Sequence, residues 1–293
     1  MPADPLGVRG ACRRVLGEAL EVRLGPLDVA VDALRDRPVP GWNPRRHYAG
    51  DRLAEYVLVL DTINFSFWGS GRGYWQLAEA LRDAFQKGEP LWEPDRLLDL
   101  DEAGLTALIG KFPLTQQRVA ALHELARLAQ REAAGELGRL VPPSAPELAA
   151  FLSRSLKSFR DVSTYGEFEV PFLKRAQIAA ADLWRSGAFG FLDVDELTCF
   201  ADYKLPQALR HLGALEYSEH LTRRIDDWVE LEPGDPEEVE IRAATVVAVE
   251  ELRDRLADAG RELKAVEVDW MLWDLAQGIY PLRPHHRVRT VFY

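Results

Sequence analysis

VEIRAATVVAVEELRDRLADAG, the segment from Val239 to Gly260, carries the clearest helical pattern in the chain. Its apolar residues return every three or four positions, with charged residues between them, which predicts a long amphipathic α-helix from Val239 to Ala259. The apolar stripe consists of Ile241, Ala244, Val247, Leu252 and Leu256. Gly260 follows the pattern directly, and glycine is typical of the position just after a helix C-terminus.

Similar spacing predicts helices along most of the chain. These are Leu27–Arg35, Leu53–Asn64, Tyr74–Lys87, Gln116–Leu137, Ala145–Leu156, Pro171–Ser186, Asp195–Ala201, Pro206–Gly213 and Val266–Gln277. Only Tyr56–Leu60 and Val288–Tyr293 resemble strands, and the first is better interpreted as buried helix. We therefore expect an all-α, predominantly helical fold in a single domain, residues 1–293, with two helical lobes around a cleft and a hinge near 141–146.

The composition is that of a globular protein, because 47% of the 293 residues are hydrophobic and the chain contains eight tryptophans. Cys12 and Cys199 are too few for a disulfide framework or a four-cysteine metal site, so we expect reduced thiols. No apolar run approaches the roughly 20 residues that span a bilayer, and no secretory signal begins the chain. We expect a cytoplasmic protein that has no membrane partner.

The charge balance bears on the class of ligand. Asp and Glu number 47 against 36 Lys and Arg, which gives a net charge of -11. Proteins that grip a nucleic-acid backbone normally present a basic face, so this balance disfavours a stable nucleic-acid partner. A small ligand with one phosphate is compatible with it, because two or three cationic groups in a pocket are enough.

DELTCFADYKLPQALRHLG, from Asp195 to Gly213, contains the first candidate site residue. Asp202 falls between two predicted helices, just before a helix N-terminus whose partial positive charge favours an ionised carboxylate. A fixed anion at that place suits cleavage of a glycosidic bond, which passes through a cationic, oxocarbenium-like sugar. An N-terminal helix cap occupies the same position, so both interpretations stay open.

YVLVLDTINFSFW, from Tyr56 to Trp68, contains a carboxylate in an apolar segment. Asp61 and Asn64 are neighbours at i,i+3, and a carboxylate in such surroundings requires a partner. It can accept hydrogen bonds from a guanine-like base edge, and the aromatic residues Phe65 and Trp68 can stack on a flat ring. A buried structural ion pair, with the aromatic residues in the core, is the alternative.

Two further segments carry cations. Lys174 lies in the first turns of a predicted helix and is a candidate for contact with a ligand, although a solvated charged face has the same pattern. The chain ends in HHRVRTVFY, whose His285, His286, Arg287 and Arg289 either meet a phosphate or form a solvated tail. The sequence has no GxxxxGK[ST], HExxH or GxSxG motif, and the two adjacent histidines are a weak metal signal, so we expect no metal and no organic cofactor.

Six segments together resemble the queuosine salvage family, the queuosine 5′-phosphate N-glycosylase/hydrolases. They occur in the order of the family, and WNPRRHY (Trp42–Tyr48) matches more loosely. The six are YVLVLDTINFSFW, GYWQLAEAL, PFLKRAQIAAADLW, LTCFADYKLPQALRHLGALEYS, EIRAATVVAVEEL and HHRVRTVFY.

The resemblance implies hydrolysis of queuosine 5′-monophosphate to queuine and ribose 5-phosphate, which salvages queuine for tRNA modification. It also implies a helical fold related to the helix-hairpin-helix DNA glycosylases, in which an Asp precedes a helix much as in FADYKLPQALRHLG (Phe200–Gly213). By this resemblance Asp202 is the catalytic carboxylate. By looser analogy, Asp61 and Asn64 contact the deazaguanine edge, Phe65 and Trp68 stack on it, and the phosphate meets Lys174, Lys204 or His47.

Other functions remain open at this point. The rivals are a base-excision glycosylase acting on DNA or RNA, a queuine- or nucleotide-binding protein without chemistry, and a purely structural helical protein. The sequence does not distinguish the nucleoside from its 3′- or 5′-phosphate, nor a covalent adduct from direct attack by water. It also leaves the oligomeric state open.

Overall fold

A computed structural model describes residues 2–293 of the chain. Helices account for 54% of the residues and strands for 6%, which confirms the predicted predominantly helical class. The described chain forms two compact units. The first consists of residues 2–40, 162–174 and 193–290, and the second of 41–161, 175–192 and 291–293.

The elements follow one another along the chain as helices with a few short strands between them. The helices are α1 (Val8–Glu18), α2 (Asp28–Arg35), α3 (Leu53–Thr62), α4 (Tyr74–Gln86), α5 (Pro94–Leu98), α6 (Glu102–Ile109), α7 (Thr115–Glu132), α8 (Ala145–Ser155), α9 (Lys174–Arg185), α10 (Lys204–His211), α11 (Glu219–Asp226), α12 (Pro236–Asp258) and α13 (Ala265–Gly278). The strands are β1 (Val22–Leu24), β2 (Val162–Tyr165), β3 (Phe168–Pro171), β4 (Leu215–Tyr217), β5 (Glu230–Leu231) and β6 (Arg287–Val288). Short 3-10 turns occupy Leu137–Leu140, Lys157–Phe159 and Val194–Glu196.

Helix α12 is the centre of the first unit and packs against α1, α2, α10 and α13. The predicted apolar stripe is buried, and Gly260 adopts the expected positive φ of 84°. The opposite face is buried too, which the amphipathic pattern did not predict. Its charged residues are neutralised inside the unit, as when Glu250 pairs with Arg9 at 3.0 Å and with Arg253 at 2.5 Å.

Glu240 anchors the start of the chain to α12. Its carboxylate is 2% exposed and accepts hydrogen bonds from the backbone N–H groups of Leu20, Glu21 and Val22. The hydroxyl of Tyr165 donates to the same carboxylate at 2.8 Å. These donors replace the water that a buried carboxylate loses, and they hold β1 against the central helix.

The prediction that a helix begins at Pro171 is wrong. Residues 162–171 form the antiparallel hairpin β2–β3, which turns through Gly166 at φ 57°, and α9 begins only at Lys174. The residues of β3 alternate in burial as a strand does. A proline lacks a backbone N–H, and the end of a strand tolerates this without loss of a ladder hydrogen bond. The strand interpretation of Tyr56–Leu60 was correctly rejected, since these residues lie in α3.

Two predictions around Asp202 are also wrong in their boundaries. The helix expected at Asp195–Ala201 is only the 3-10 turn at Val194–Glu196. Helix α10 begins at Lys204 instead of Pro206, because the Asp202 carboxylate accepts the first two N–H groups of the helix and so permits an earlier start. Pro206 then occupies the third helical position, where its missing N–H has no intrahelical acceptor to lose.

In the second unit, α3 is buried from Tyr56 to Thr62 and packs against α4 and α7. Two buried arginines bind the backbone where α3 ends. Arg175 donates to the carbonyl oxygens of Asp61 and Thr62, and Arg118 donates to that of Phe65. Carbonyl groups at a helix C-terminus have no intrahelical donors, so these guanidinium groups fix the course of the chain after α3.

Candidate active site

Asp202 is held at the N-terminus of α10. Its Oδ1 atom accepts hydrogen bonds from the backbone N–H groups of Lys204 at 2.7 Å and Leu205 at 2.9 Å. Within residues 2–293 no hydrogen bond or ion pair involves Oδ2, and the side chain is half-buried. One carboxylate oxygen therefore caps the helix and fixes the group, while the other is available to a ligand.

The backbone just before Asp202 is fixed by buried groups of α12 and α13. Asp269 accepts the N–H of Phe200 at 2.7 Å, and the Nε atom of Arg242 donates to the carbonyl oxygen of Ala201 at 3.0 Å. Both side chains are at most 3% exposed. Charged groups bonded to the backbone make strong hydrogen bonds, so the loop presents Asp202 in a preorganised position.

The two candidate lysines of the first unit differ in their surroundings. Lys174 is the first residue of α9 and is 5% exposed. Lys204 is the first residue of α10, and its Nζ atom donates to the Oε1 atom of Gln207 at 3.1 Å. Burial lowers the pKa of Lys204, and the nearby negative charge of Asp202 opposes this shift. The structure thus brings Asp202 and Lys204 together.

Asp61 and Asn64 also lie together, at the end of α3 in the second unit. The Nδ2 atom of Asn64 donates to Oδ1 of Asp61 at 3.2 Å. Both residues are buried, with 0% exposure for Asp61 and 5% for Asn64. The i,i+3 relation inferred from the sequence therefore produces a real contact, although Asn64 lies just beyond the last helical turn.

Phe65 and Trp68 differ sharply in accessibility. Phe65 is 0% exposed, and its ring packs against the guanidinium groups of Arg118 at 4.4 Å and Arg175 at 4.7 Å. Trp68 is half-buried. Of the two rings predicted to stack on a base, Trp68 has the accessible surface, whereas Phe65 contributes to the core beneath Asn64.

His47 lies in an aromatic cluster of the second unit. Its ring stacks on Trp42 with centroids 4.0 Å apart, and its Nε2 atom lies 2.9 Å from the hydroxyl of Tyr74. Burial, together with the positive charge of Arg185, lowers the pKa of His47 to about 3. The ring is therefore neutral at pH 7, and what it offers a phosphate is a hydrogen bond without a positive charge.

A model of the family described as queuosine salvage protein matches residues 43–293 of the chain. The chain belongs to the queuosine salvage protein family. The match covers most of the chain and includes every candidate site residue named from the sequence.

Relatives support the same family over most of their length. A protein of Sphaerobacter thermophilus is 41% identical, with 100% of this chain and 99% of the relative aligned. A protein of Dictyostelium discoideum is 36% identical over 82% of this chain and 78% of its own, and one of Mus musculus is 30% identical over 86% and 84%. All three relatives are named queuosine 5′-phosphate N-glycosylase/hydrolase.

Sequence reasoning did not assign Arg242 and Asp269 a place at the site of this queuosine salvage family member. The sequence indicates only that Asp269 shares a helix face with Trp270 and Trp273, and it does not single out Arg242. The signal that was present is a charge on the apolar face of each helix, since Arg242 lies four residues before Val246 and Asp269 lies three residues after Val266. A buried charge requires a partner: Asp269 accepts a hydrogen bond from the Asp202 loop, and Arg242 donates to that loop and also pairs with Glu238 at 3.3 Å.

Neither a membrane-spanning helix nor a metal-binding cluster is found in residues 2–293. No helix there is both long enough and apolar enough to cross a bilayer. No group of three or more His, Cys, Asp or Glu side chains there is arranged to hold a metal ion.

Proposed function

We propose that this chain hydrolyses the N-glycosidic bond of queuosine 5′-phosphate and releases queuine and ribose 5-phosphate. The name shared by its relatives supports the substrate and the reaction. The single observation in the chain that carries the proposal is the anchored Asp202 carboxylate, with one oxygen on the N-terminus of α10 and the other available to a ligand.

Asp202 acts on the sugar. As the bond between C1′ and the base nitrogen lengthens, positive charge develops on the ribose ring, and a fixed carboxylate stabilises that charge. The deazapurine has no N7 to protonate, so support of the sugar matters more than acid assistance to the leaving base. The cap hydrogen bonds prevent the side chain of Asp202 from swinging away as the charge forms.

The remaining site residues bind the substrate in this proposal. Asp61 and Asn64 hydrogen-bond to the edge of the base, and Trp68 stacks on its face. Phe65 packs in the core and supports the segment that carries these three residues. The groups that contact the phosphate are the cations Lys174 and Lys204 and the neutral hydrogen-bond donor His47.

We further propose that the Asp202 loop and α10 are related to the corresponding Asp and helix of the helix-hairpin-helix DNA glycosylases. The pattern in FADYKLPQALRHLG supports this relation. We also propose that the enzyme is cytoplasmic. Its proposed substrate is a free ribotide and not a nucleic acid, in keeping with the net charge of -11.

The test is product release monitored by chromatography. Purified protein is incubated with queuosine, its 3′-phosphate and its 5′-phosphate in parallel, and with a duplex containing a damaged base. We expect free queuine from the 5′-phosphate at the highest kcat/KM. Cleavage of the duplex alone would support the base-excision alternative, and binding without product would support a binding protein.

A further inference from the structure

The segment that precedes β6 packs against the loop that carries Asp202. The ring of His285 lies on the ring of Tyr203, with centroids 4.6 Å apart and an interplanar angle of 32°. Trp228 meets His285 edge to face at 5.8 Å. Since Tyr203 lies between Asp202 and Lys204 in the sequence, these rings hold the imidazole against the loop that carries the proposed catalytic carboxylate.

The hydrogen bonding of His285 fixes its tautomer. Its Nδ1 atom lies 2.7 Å from the backbone carbonyl oxygen of His286. A carbonyl oxygen only accepts, so Nδ1 carries the proton, and Nε2 of the neutral ring carries a lone pair. Within the described chain Nε2 has no hydrogen-bond partner. His285 therefore offers a basic nitrogen of defined orientation.

The charges around His285 keep that nitrogen unprotonated at neutral pH. Burial lowers the pKa of His285, and the positive charges of Arg287 and Lys204 act in the same direction. The hydrogen bond to His286 and the negative charge of Asp202 oppose the shift without reversing it. Burial also lowers the pKa of His286 well below its usual value, so that ring is neutral as well.

We propose that His285 is the proton acceptor for the water molecule that attacks C1′, while Asp202 stabilises the cationic sugar. This inference rests on the proposed function. In the step, the water oxygen bonds to C1′ as the bond from C1′ to the base breaks, and the bonding electrons leave with the base nitrogen. One water proton passes to Nε2 of His285. The imidazolium then releases it to solvent, and the base nitrogen takes up a proton from solvent.

The experiment compares His285→Ala and His285→Gln with wild type and with His211→Gln. His211 is an exposed residue at the other end of α10, so its variant is the control. A positioned general base contributes about 10²–10⁴-fold, so we expect kcat to fall by that factor in both His285 variants. We expect KM to change by less than about threefold, because the proton transfer belongs to the chemical step.

The pH profile separates proton transfer from a structural role. In wild type, log kcat falls with unit slope below an apparent pKa under 6.5, as Nε2 becomes protonated. Both variants lose this limb, and added imidazole restores activity to His285→Ala. Folded variants that keep the limb, or lose activity with no change in the profile and no rescue, would overturn the inference. A wild-type protein that releases no queuine from queuosine 5′-phosphate would instead refute the proposed function, and the inference with it.

Discussion

Replacing Asp202 by Asn isolates the charge of the carboxylate from its role as a helix cap. The Asn side chain keeps an oxygen that can accept the N–H groups of Lys204 and Leu205, which lie 2.7 and 2.9 Å from Oδ1. Asn and Asp are about equally good N-terminal caps, and the lost interaction with the helix dipole is about 0.3–1 kcal/mol. For a chain of this size, such a loss lowers Tm by at most about 4 °C.

The effect of Asp202→Asn on activity should be far larger. A unit charge about 4 Å from a cationic sugar, at an effective dielectric constant of about 20, interacts by about 4 kcal/mol. Since about 1.4 kcal/mol corresponds to a factor of ten in rate, kcat should fall by about 10³-fold. Asp202→Ala removes the cap as well, and should add a stability loss of about 0.5–2 kcal/mol.

The assay is queuine release from queuosine 5′-phosphate at saturating substrate, with Tm measured on the same preparations. Asp101 supplies a matched control, because it caps α6 through a 2.7 Å hydrogen bond from the N–H of Gly104 and has no proposed part in the reaction. Asp101→Asn should keep full activity. If folded Asp202→Asn retained more than a tenth of the wild-type kcat, the carboxylate charge would have no major part in the reaction.

Three further sets of substitutions test the loop before Asp202, the neutral ring of His47 and the two aromatic residues that follow α3. Asp269→Ala leaves the N–H of Phe200 buried without its acceptor, so we expect about 1–3 kcal/mol less stability and a lower kcat; unchanged kcat in the folded variant would separate this contact from the reaction. Burial lowers the pKa of His47 to about 3, so between pH 6.5 and about 3 the unfolded chain binds a proton that the folded chain does not. As the pH falls through this range, His47 should lower the free energy of unfolding by about 1.4 kcal/mol per pH unit. Urea titrations from pH 6 to 4.5 should therefore show a smaller change in the free energy of unfolding with pH for His47→Gln than for wild type; equal changes would contradict this. Trp68→Leu should raise KM about tenfold with little change in Tm, whereas Phe65→Ala should lose about 3–5 kcal/mol of stability as a core residue; the reverse pattern would exchange the two roles.

Much of the helical framework was predictable because it depends on local periodicity. The helices around Val239, Tyr74 and Val266 are present, with ends displaced by a few residues. The strand expected at Val288–Tyr293 is present only as β6, at Arg287–Val288, and the other strands were missed because they are only two to four residues long. Strand β1 also pairs with a distant segment, β4. No local pattern encodes such a pairing. The helix placed at Pro171 failed because a first-turn proline and a strand-end proline look alike in sequence.

In the candidate site, too, features that depend on local sequence were predictable, whereas contacts with distant segments were not. The position of Asp202 before a helix was visible in the sequence, and the structure shows that the carboxylate caps α10 while keeping one oxygen available. The buried partners of its loop were not visible, because Arg242 and Asp269 come from helices 40 and 67 residues further along. Likewise, nothing in the sequence distinguishes the fully buried ring of Phe65 from the half-buried ring of Trp68.

The hydrogen bonds that Glu240 accepts from residues 20–22 have a practical consequence for anyone who expresses a shortened form of the protein. The family match begins at residue 43, which makes that position a natural choice for a shortened clone. Such a truncation would remove all three backbone donors to Glu240, as well as Arg9, the partner of Glu250. Two carboxylates of the central helix would lose partners in the interior, at a cost of several kcal/mol each. The segment that the family model matches is therefore smaller than the segment that the first unit needs in order to fold.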